Sequence, residues 1–237
     1  MKTLFIPAKY TKPLGSEFMK AIAAEIRQKN IGLFTTIQFI GQMKQLKQFL
    51  EKNGKNILVG HPDYKAVEPG QVLGCDVSAP KSIEDKCDIF LYLGSGKFHQ
   101  LNLAVQTGKQ IIQANPLTET VSAISKAEVE HFKKMRDETL KKAVSGKVYG
   151  ILISAKPGQY NPLLAEKIKK RLESKGKTVY MFISDTISPD ETYNFPQIDV
   201  WVNTACYRIG LDDAENYPKP LVNASDLLEY WNKDSKQ

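Results

Sequence analysis

The residues with the widest chemical reach in this sequence are its three cysteines, at positions 75, 87 and 206. A thiolate can ligate a soft metal or an iron–sulfur cluster, attack an electrophile or enter a disulfide. Intervals of 12 and 119 residues exclude the close C-x-x-C runs of ferredoxins and zinc ribbons. An odd count excludes a fully paired disulfide scaffold and points to a reducing compartment. Cys75 ends the string Gly70–Gln71–Val72–Leu73–Gly74–Cys75, whose glycines let the backbone come close to a ligand. Spacing alone leaves the other reading open, a small buried apolar residue. Cys206 follows an apolar run directly, in Asn203–Thr204–Ala205–Cys206–Tyr207–Arg208. Arg208 offers a guanidinium that matches a carboxylate, either a ligand's or that of Asp212–Asp213. Cys87 opens an apolar run and reads as structural.

Two further segments carry polar chemistry. Gly94–Ser95–Gly96–Lys97–Phe98–His99 offers backbone N–H groups to an anion. It lacks the third glycine of a dinucleotide fingerprint. Ser154–Ala155–Lys156–Pro157–Gly158–Gln159 is a second polar, glycine-containing loop. His61, His99 and His131 have no metal-ligand spacing, and no G-x-S-x-G, Walker A or H-E-x-x-H string occurs.

These loops must be held by secondary structure, and the hydrophobic pattern predicts which. Short apolar runs at Leu4–Ile6, Ile31–Phe39, Ile57–Val59, Ile89–Leu93 and Ile111–Ile112 read as strands. Between them, Ser16 reads as the N-cap of a helix with Phe18, Ile22 and Ile26 on one face. A second helix carries Met43, Leu46, Phe49 and Leu50 and stops at Asn53–Gly54. A long helix over 125–144 leads to a second set of strands at Val148–Ile153, Val179–Ile183, Val200–Val202 and Leu221–Val222. Asn161–Pro162 opens the helix of Leu164, Ile168 and Leu172, and Ser225 caps a last helix with Leu228 and Trp231.

Strands apolar on both faces and separated by helices make parallel sheets, so the fold class is α/β. The restart in the middle of the chain predicts two similar three-layer units, residues 1–122 and 123–237. In such sheets ligands sit beyond the carboxyl ends of the strands. Three of the predicted strands feed into the Gly94, Ser154 and Asn203 loops.

Composition narrows the classes. With 42% hydrophobic and 25% charged residues over 237 positions the chain is globular. It has no run of eighteen apolar residues and no signal peptide, so the expected location is the cytoplasm, with no membrane. The net charge of +7 is concentrated in residues 1–118, which hold 15 Lys/Arg against 9 Asp/Glu. A basic half suits an acidic protein or an anionic ligand, and no direct nucleic-acid motif accompanies it.

Three strings in this order, Gly70–Cys75, Gly94–His99 with Leu101 and Leu103–Ala104–Val105, and Asn203–Ile209 with Leu211–Asp212–Asp213, resemble the archaeal diphthamide synthases, the 2-(3-amino-3-carboxypropyl)histidine synthase family. Lys156–Pro157–Gly158–Gln159 is similar to a further segment of that family. The likeness extends from Leu4 to about Trp231. It departs at Tyr207, where the family usually has Pro, and at Gln100 and Asn102, where Pro and Gly are usual. Quinolinate synthases share a plan of three domains with one cysteine each, but none of their motifs occurs.

The resemblance implies a three-domain architecture in which each domain gives one cysteine to a [4Fe–4S] cluster that binds S-adenosylmethionine. Reductive cleavage of its Cγ–sulfur bond would yield a 3-amino-3-carboxypropyl radical that adds to a histidine of translation elongation factor 2. By this resemblance residues 1–122 match the family's second domain with Cys75, and 123–237 the third with Cys206. The first domain and its cysteine are expected to be absent, so a second chain or a homo-oligomer would complete the ligand set. Gln71, Gly94, Ser95, Gly96, Gln159 and Arg208 become candidates to hold the amino-acid end of S-adenosylmethionine. The alternatives are a non-catalytic accessory subunit or diverged paralogue that binds elongation factor 2 or a partner synthase chain, and an anion-binding α/β module without a cluster.

Overall fold

The structure, a computed structural model, describes residues 3–211 and 213–234. It divides into two compact units, residues 1–132 and 133–237.

In the first unit the elements run α1 (Ser16–Glu25), β1 (Asn30–Thr35), α2 (Ile40–Lys52), β2 (Asn56–Leu58), α3 (Ser78–Lys81), β3 (Ile89–Leu93), α4 (Phe98–Thr107), β4 (Ile111–Asn115) and β5 (Thr120–Ala123). The sheet order is β2-β1-β3-β4-β5, parallel except for β5, which returns antiparallel on β4. Every residue of β3 is buried, as a central strand covered on both faces requires. Ile31, Leu33, Ile89 and Leu91 pack under Phe18 and Ile22 of α1 and Met43, Leu46 and Leu50 of α2. Phe34, Phe90 and Tyr92 point the other way, onto Val72 and Leu103.

The helix α5 (Lys126–Val144) spans the boundary. Its start is a capping box in which Ser125 Oγ accepts the Glu128 N–H and Glu128 Oε2 accepts the Ser125 N–H. The second unit continues with β6 (Val148–Ser154), α6 (Pro162–Glu173), β7 (Thr178–Ser184), α7 (Pro189–Thr192), β8 (Val200–Asn203), β9 (Leu221–Asn223) and α8 (Ala224–Asp234). Its sheet is parallel in the order β7-β6-β8-β9. Ile151, Val200 and Val202 pack under Ile168 and Leu172 of α6 and Leu227 and Trp231 of α8. Leu152, Trp201 and Leu221 form the opposite face with Ile198 and Tyr217.

The expected α/β class holds in both units, and four expectations need correction. Leu4, Phe5 and Ile6 are not a buried strand: they are irregular and 83%, 68% and 80% exposed. Three apolar residues ending at Pro7, which has no N–H to give, found no strand to pair with. The run from Ile31 leaves the sheet at Thr35 and turns into a 3-10 segment, Ile37–Phe39. Ser16 is the first residue of α1 rather than its cap, which falls on Gly15. Ser225 likewise lies inside the first turn of α8. By contrast, Asn161 caps α6 as expected, its Oδ1 accepting the Leu164 N–H at 3.2 Å.

Candidate functional site

In the first unit the site-bearing loop is pinned to the carboxyl ends of the strands. The Thr35 N–H donates to the Gly70 carbonyl at 2.9 Å, and the Val72 N–H donates to the Thr35 carbonyl at 2.8 Å. Thr35 Oγ1 in turn donates to the Leu93 carbonyl at 2.6 Å, joining β1 to β3 at that end. Leu73 and Asp76 then exchange two backbone hydrogen bonds, of 3.0 and 3.1 Å. Gly74 and Cys75 are the two residues left at the tip, and Cys75 is exposed there.

Asp76 organises what lies beneath the tip. Its Oδ2 accepts the N–H groups of Lys65 and Ala66, both at 2.7 Å, while Oδ1 accepts the Ser78 N–H and hydroxyl. Burial works to raise this carboxyl, but the hydrogen bonds from Ala66, Ser78 and Lys65 outweigh it and hold it below its ordinary value. Gln71 has a similar duty, with Oε1 accepting the N–H groups of Val67 and Glu68, both at 3.0 Å.

The Gly94–Ser95–Gly96 turn stands beside this loop. Asn102 on α4 donates through Nδ2 to the Gly74 carbonyl at 3.1 Å. Gln113 on β4 donates through Nε2 to the carbonyls of Gly94 and Gly96, at 3.1 and 3.0 Å, fixing the turn from behind. The His99 ring lies stacked over Tyr92 at 6.0 Å and edge-on to Phe98 at 5.2 Å. Cys75, the glycine turn and His99 are thereby parts of one packed neighbourhood of the first unit.

In the second unit Cys206 follows β8, half-buried, immediately before the 3-10 turn Tyr207–Gly210. Asn203 brackets it. Oδ1 accepts the Ala205 N–H at 3.0 Å, and Nδ2 donates to the Cys206 carbonyl at 2.7 Å. Thr204 donates both N–H and hydroxyl to the Leu152 carbonyl at the end of β6. The Ser154–Gln159 loop leaves the same end of β6, with Lys156 N–H on Ser154 Oγ and Gln159 N–H on the Lys156 carbonyl. Arg208 is exposed. Of the carboxylates weighed as its partner, Asp212 lies outside the described residues.

The donor chemistry suits an iron–sulfur cluster at two of the three cysteines. Cys75 and Cys206 present sulfur at loops beyond strand ends, where a thiolate can be reached. Cys87 is 3% exposed at the amino end of β3, and burial pushes its thiol up, only partly offset by the charge of Lys109. It is a core residue. Among the described residues no three His, Cys, Asp or Glu side chains gather into a metal site. Each unit therefore offers one cysteine sulfur at a strand-end loop. The residues that sequence reasoning missed are the supports, Thr35, Asp76, Asn102 and Gln113; only Asp76, next to Cys75, carried any signal.

The comparisons with known proteins identify the family. The family model described as putative diphthamide synthesis protein matches residues 1–236. A 2-(3-amino-3-carboxypropyl)histidine synthase of Pyrococcus horikoshii is 33% identical over 227 residues, 95% of this chain and 64% of the relative. Subunit 1 of the corresponding Caenorhabditis elegans synthase is 26% identical, over 90% of this chain and 53% of the relative. The chain thus spans less than two thirds of the length of these relatives. The crystal structure of Dph2 from Pyrococcus horikoshii with a 4Fe-4S cluster superposes with a TM-score of 0.79 at 33% identity, covering 89% of this chain and 61% of that one. With the family match running almost from end to end, the chain belongs to the diphthamide synthesis protein family.

Proposed function

We propose that this chain acts in diphthamide biosynthesis, as part of a synthase that transfers the 3-amino-3-carboxypropyl group of S-adenosylmethionine to a histidine of translation elongation factor 2. The observation that carries the reading is the likeness, at 33% identity and a TM-score of 0.79, to a protein solved with a 4Fe-4S cluster. In this reading residues 1–122 and 123–237 correspond to the second and third domains of the family. The two units supply two of the ligands in this reading.

Cys75 and Cys206 are the iron ligands in this reading. The cluster would supply the electron that breaks the Cγ–sulfur bond of S-adenosylmethionine, freeing the 3-amino-3-carboxypropyl radical for C2 of the histidine ring. This chain's part is to bind and orient. The Gly94 N–H is spent on the Ala114 carbonyl at 2.9 Å, so the turn's candidates for an anionic group are Ser95 and Gly96. In the second unit Arg208 is the guanidinium candidate for a carboxylate. Gln159 lies on the loop leaving β6. Gln71, with Oε1 already committed to Val67 and Glu68, has only its Nε2 to offer. The surplus of Lys and Arg in residues 1–118 suits an acidic protein surface.

The test is anaerobic reconstitution, with iron and sulfide assayed per chain, followed by dithionite reduction with S-adenosylmethionine and elongation factor 2. The expected result is a four-iron cluster that Cys75→Ser and Cys206→Ser each diminish, and a 3-amino-3-carboxypropyl mass increment on one histidine. Iron uptake only after a second family chain is added would assign this chain a subunit role. Iron uptake unchanged by both serine substitutions would overturn the ligand assignment.

A further inference from the structure

Behind Cys206 runs a buried polar chain carrying more charge than a packed core needs. The Asn203 amide that donates to the Cys206 carbonyl also donates to Asn223 Oδ1 at 2.7 Å. Asn223 Nδ2 donates to the Tyr207 carbonyl at 3.0 Å. The Tyr207 hydroxyl donates to Asp226 Oδ1 at 2.7 Å. Arg136, reaching in from α5, meets that same oxygen at 2.9 Å and Glu229 Oε2 at 2.6 Å. Asp226 is 3% exposed and Tyr207 7%. The turn closes tightly on the chain, for a Cβ at Gly210 would fall 2.4 Å from Asn223 Oδ1.

A buried ion pair is a poor source of stability, because desolvation offsets most of the attraction and apolar residues of similar volume hold a core as well. What hydrogen bonds add is direction, since each fixes an angle as well as a distance. Here the bonds converge on the peptide groups on either side of Tyr207, the first of which carries the Cys206 carbonyl. The carbonyl of Cys206 is held by Asn203 and that of Tyr207 by Asn223, while the Tyr207 side chain is anchored through Asp226 to Arg136.

We infer that Arg136, Asp226 and Tyr207 are positioning residues that hold the Cys206–Tyr207 backbone so that the Cys206 sulfur keeps one orientation toward the iron it would ligate. The inference rests on the ligand role proposed for Cys206, and its first readout needs no cluster.

That readout is the alkylation rate of Cys206, followed by mass spectrometry in the apo chain, for the wild type, Tyr207→Phe and Tyr149→Phe. Tyr149 donates its buried hydroxyl to the Ala143 carbonyl at 2.7 Å, so Tyr149→Phe removes a buried tyrosine hydrogen bond of the same unit that is not a member of the Cys206 chain. The expected result is Cys206 alkylated about fivefold faster in Tyr207→Phe, the factor that one hydrogen bond gives a local opening, with Tyr149→Phe at the wild-type rate. Cys87, buried in the first unit, stays protected in all three. Equal Cys206 rates in the two variants would overturn the proposal and leave the chain a purely structural role. After reconstitution, the reduced cluster of Tyr207→Phe should show a broadened electron paramagnetic resonance signal at unchanged iron per chain; a wild-type signal would likewise count against it. A wild-type chain that takes up no iron even with a second family chain present would end the ligand reading, and the alkylation comparison would still decide whether the network orients the thiol.

Discussion

Gly74 rests on the ring of Phe98: a Cβ at position 74 would lie 2.4 Å from the ring's Cε1 and 2.7 Å from its Cζ. Real Cβ atoms do not approach so closely, so only glycine lets the tip that carries Cys75 settle on the first residue of α4. The Asn102 bond to the Gly74 carbonyl closes the same contact from the next turn. Gly74→Ala is expected to lower stability by about 1–3 kcal/mol through overpacking. Adding Phe98→Leu should return part of that loss, and the non-additivity of the pair in urea denaturation measures the contact.

Asp76→Asn tests the support beneath the tip. Oδ2 receives two backbone N–H groups and Oδ1 a third along with the Ser78 hydroxyl. An amide must turn its NH2 toward donors on one side or the other. The expected cost is about 2 kcal/mol, with faster amide exchange at Lys65 and Ala66 as the local signature.

The start of α5 should respond to acid. Lys97 and the N–H and hydroxyl of Ser125 hold the Glu128 carboxyl down at about 2, against an ordinary 4.5. A carboxyl lowered in the folded state binds fewer protons there than in the unfolded chain. Its stabilisation is therefore present above the ordinary value and lost as pH falls through the folded one. Urea midpoints of the wild type and Glu128→Gln should differ above about pH 4.5 and converge as the pH approaches 2. The pair with Lys97 is well exposed, so the difference is small and shrinks with salt.

The ion pair in the second unit separates holding from orienting. Asp226→Ala removes the more deeply buried of the two carboxylates on Arg136, leaving Glu229, and should cost about 1–3 kcal/mol. Arg136→Met combined with Asp226→Leu should recover most of that in thermal melts. If the chain orients Cys206 as inferred, the double variant regains stability yet keeps the fast Cys206 alkylation.

The strands were legible where both faces are buried. Ile89–Leu93 and Val200–Val202 are continuous apolar runs because both faces of each sheet are covered. The same local signal misread Leu4–Ile6, since pairing depends on a neighbour that composition does not reveal. Helix α4 escaped because its inward face carries Gln100 and Asn102, which blur the apolar period. Strand β5 is short, half-exposed and antiparallel, with little apolar content to mark it. At the site, the cysteines and the glycine turn stood out as motifs. Their supports did not, because Thr35 meets Leu93 58 residues away and Arg136 meets Glu229 93 residues away. Such pairs exist only once the sheets have formed.

The outer strand of the second sheet has a practical consequence for anyone handling this protein. Among the described residues β7 pairs only with β6, and Tyr180, Met181 and Ile183 are 49%, 36% and 61% exposed along its seven residues. It carries none of the lysines or prolines that usually discourage a bare edge from recruiting another chain. Concentrated samples will therefore tend to self-associate strand to strand, and a single lysine at Ile183 is the natural solubilising change.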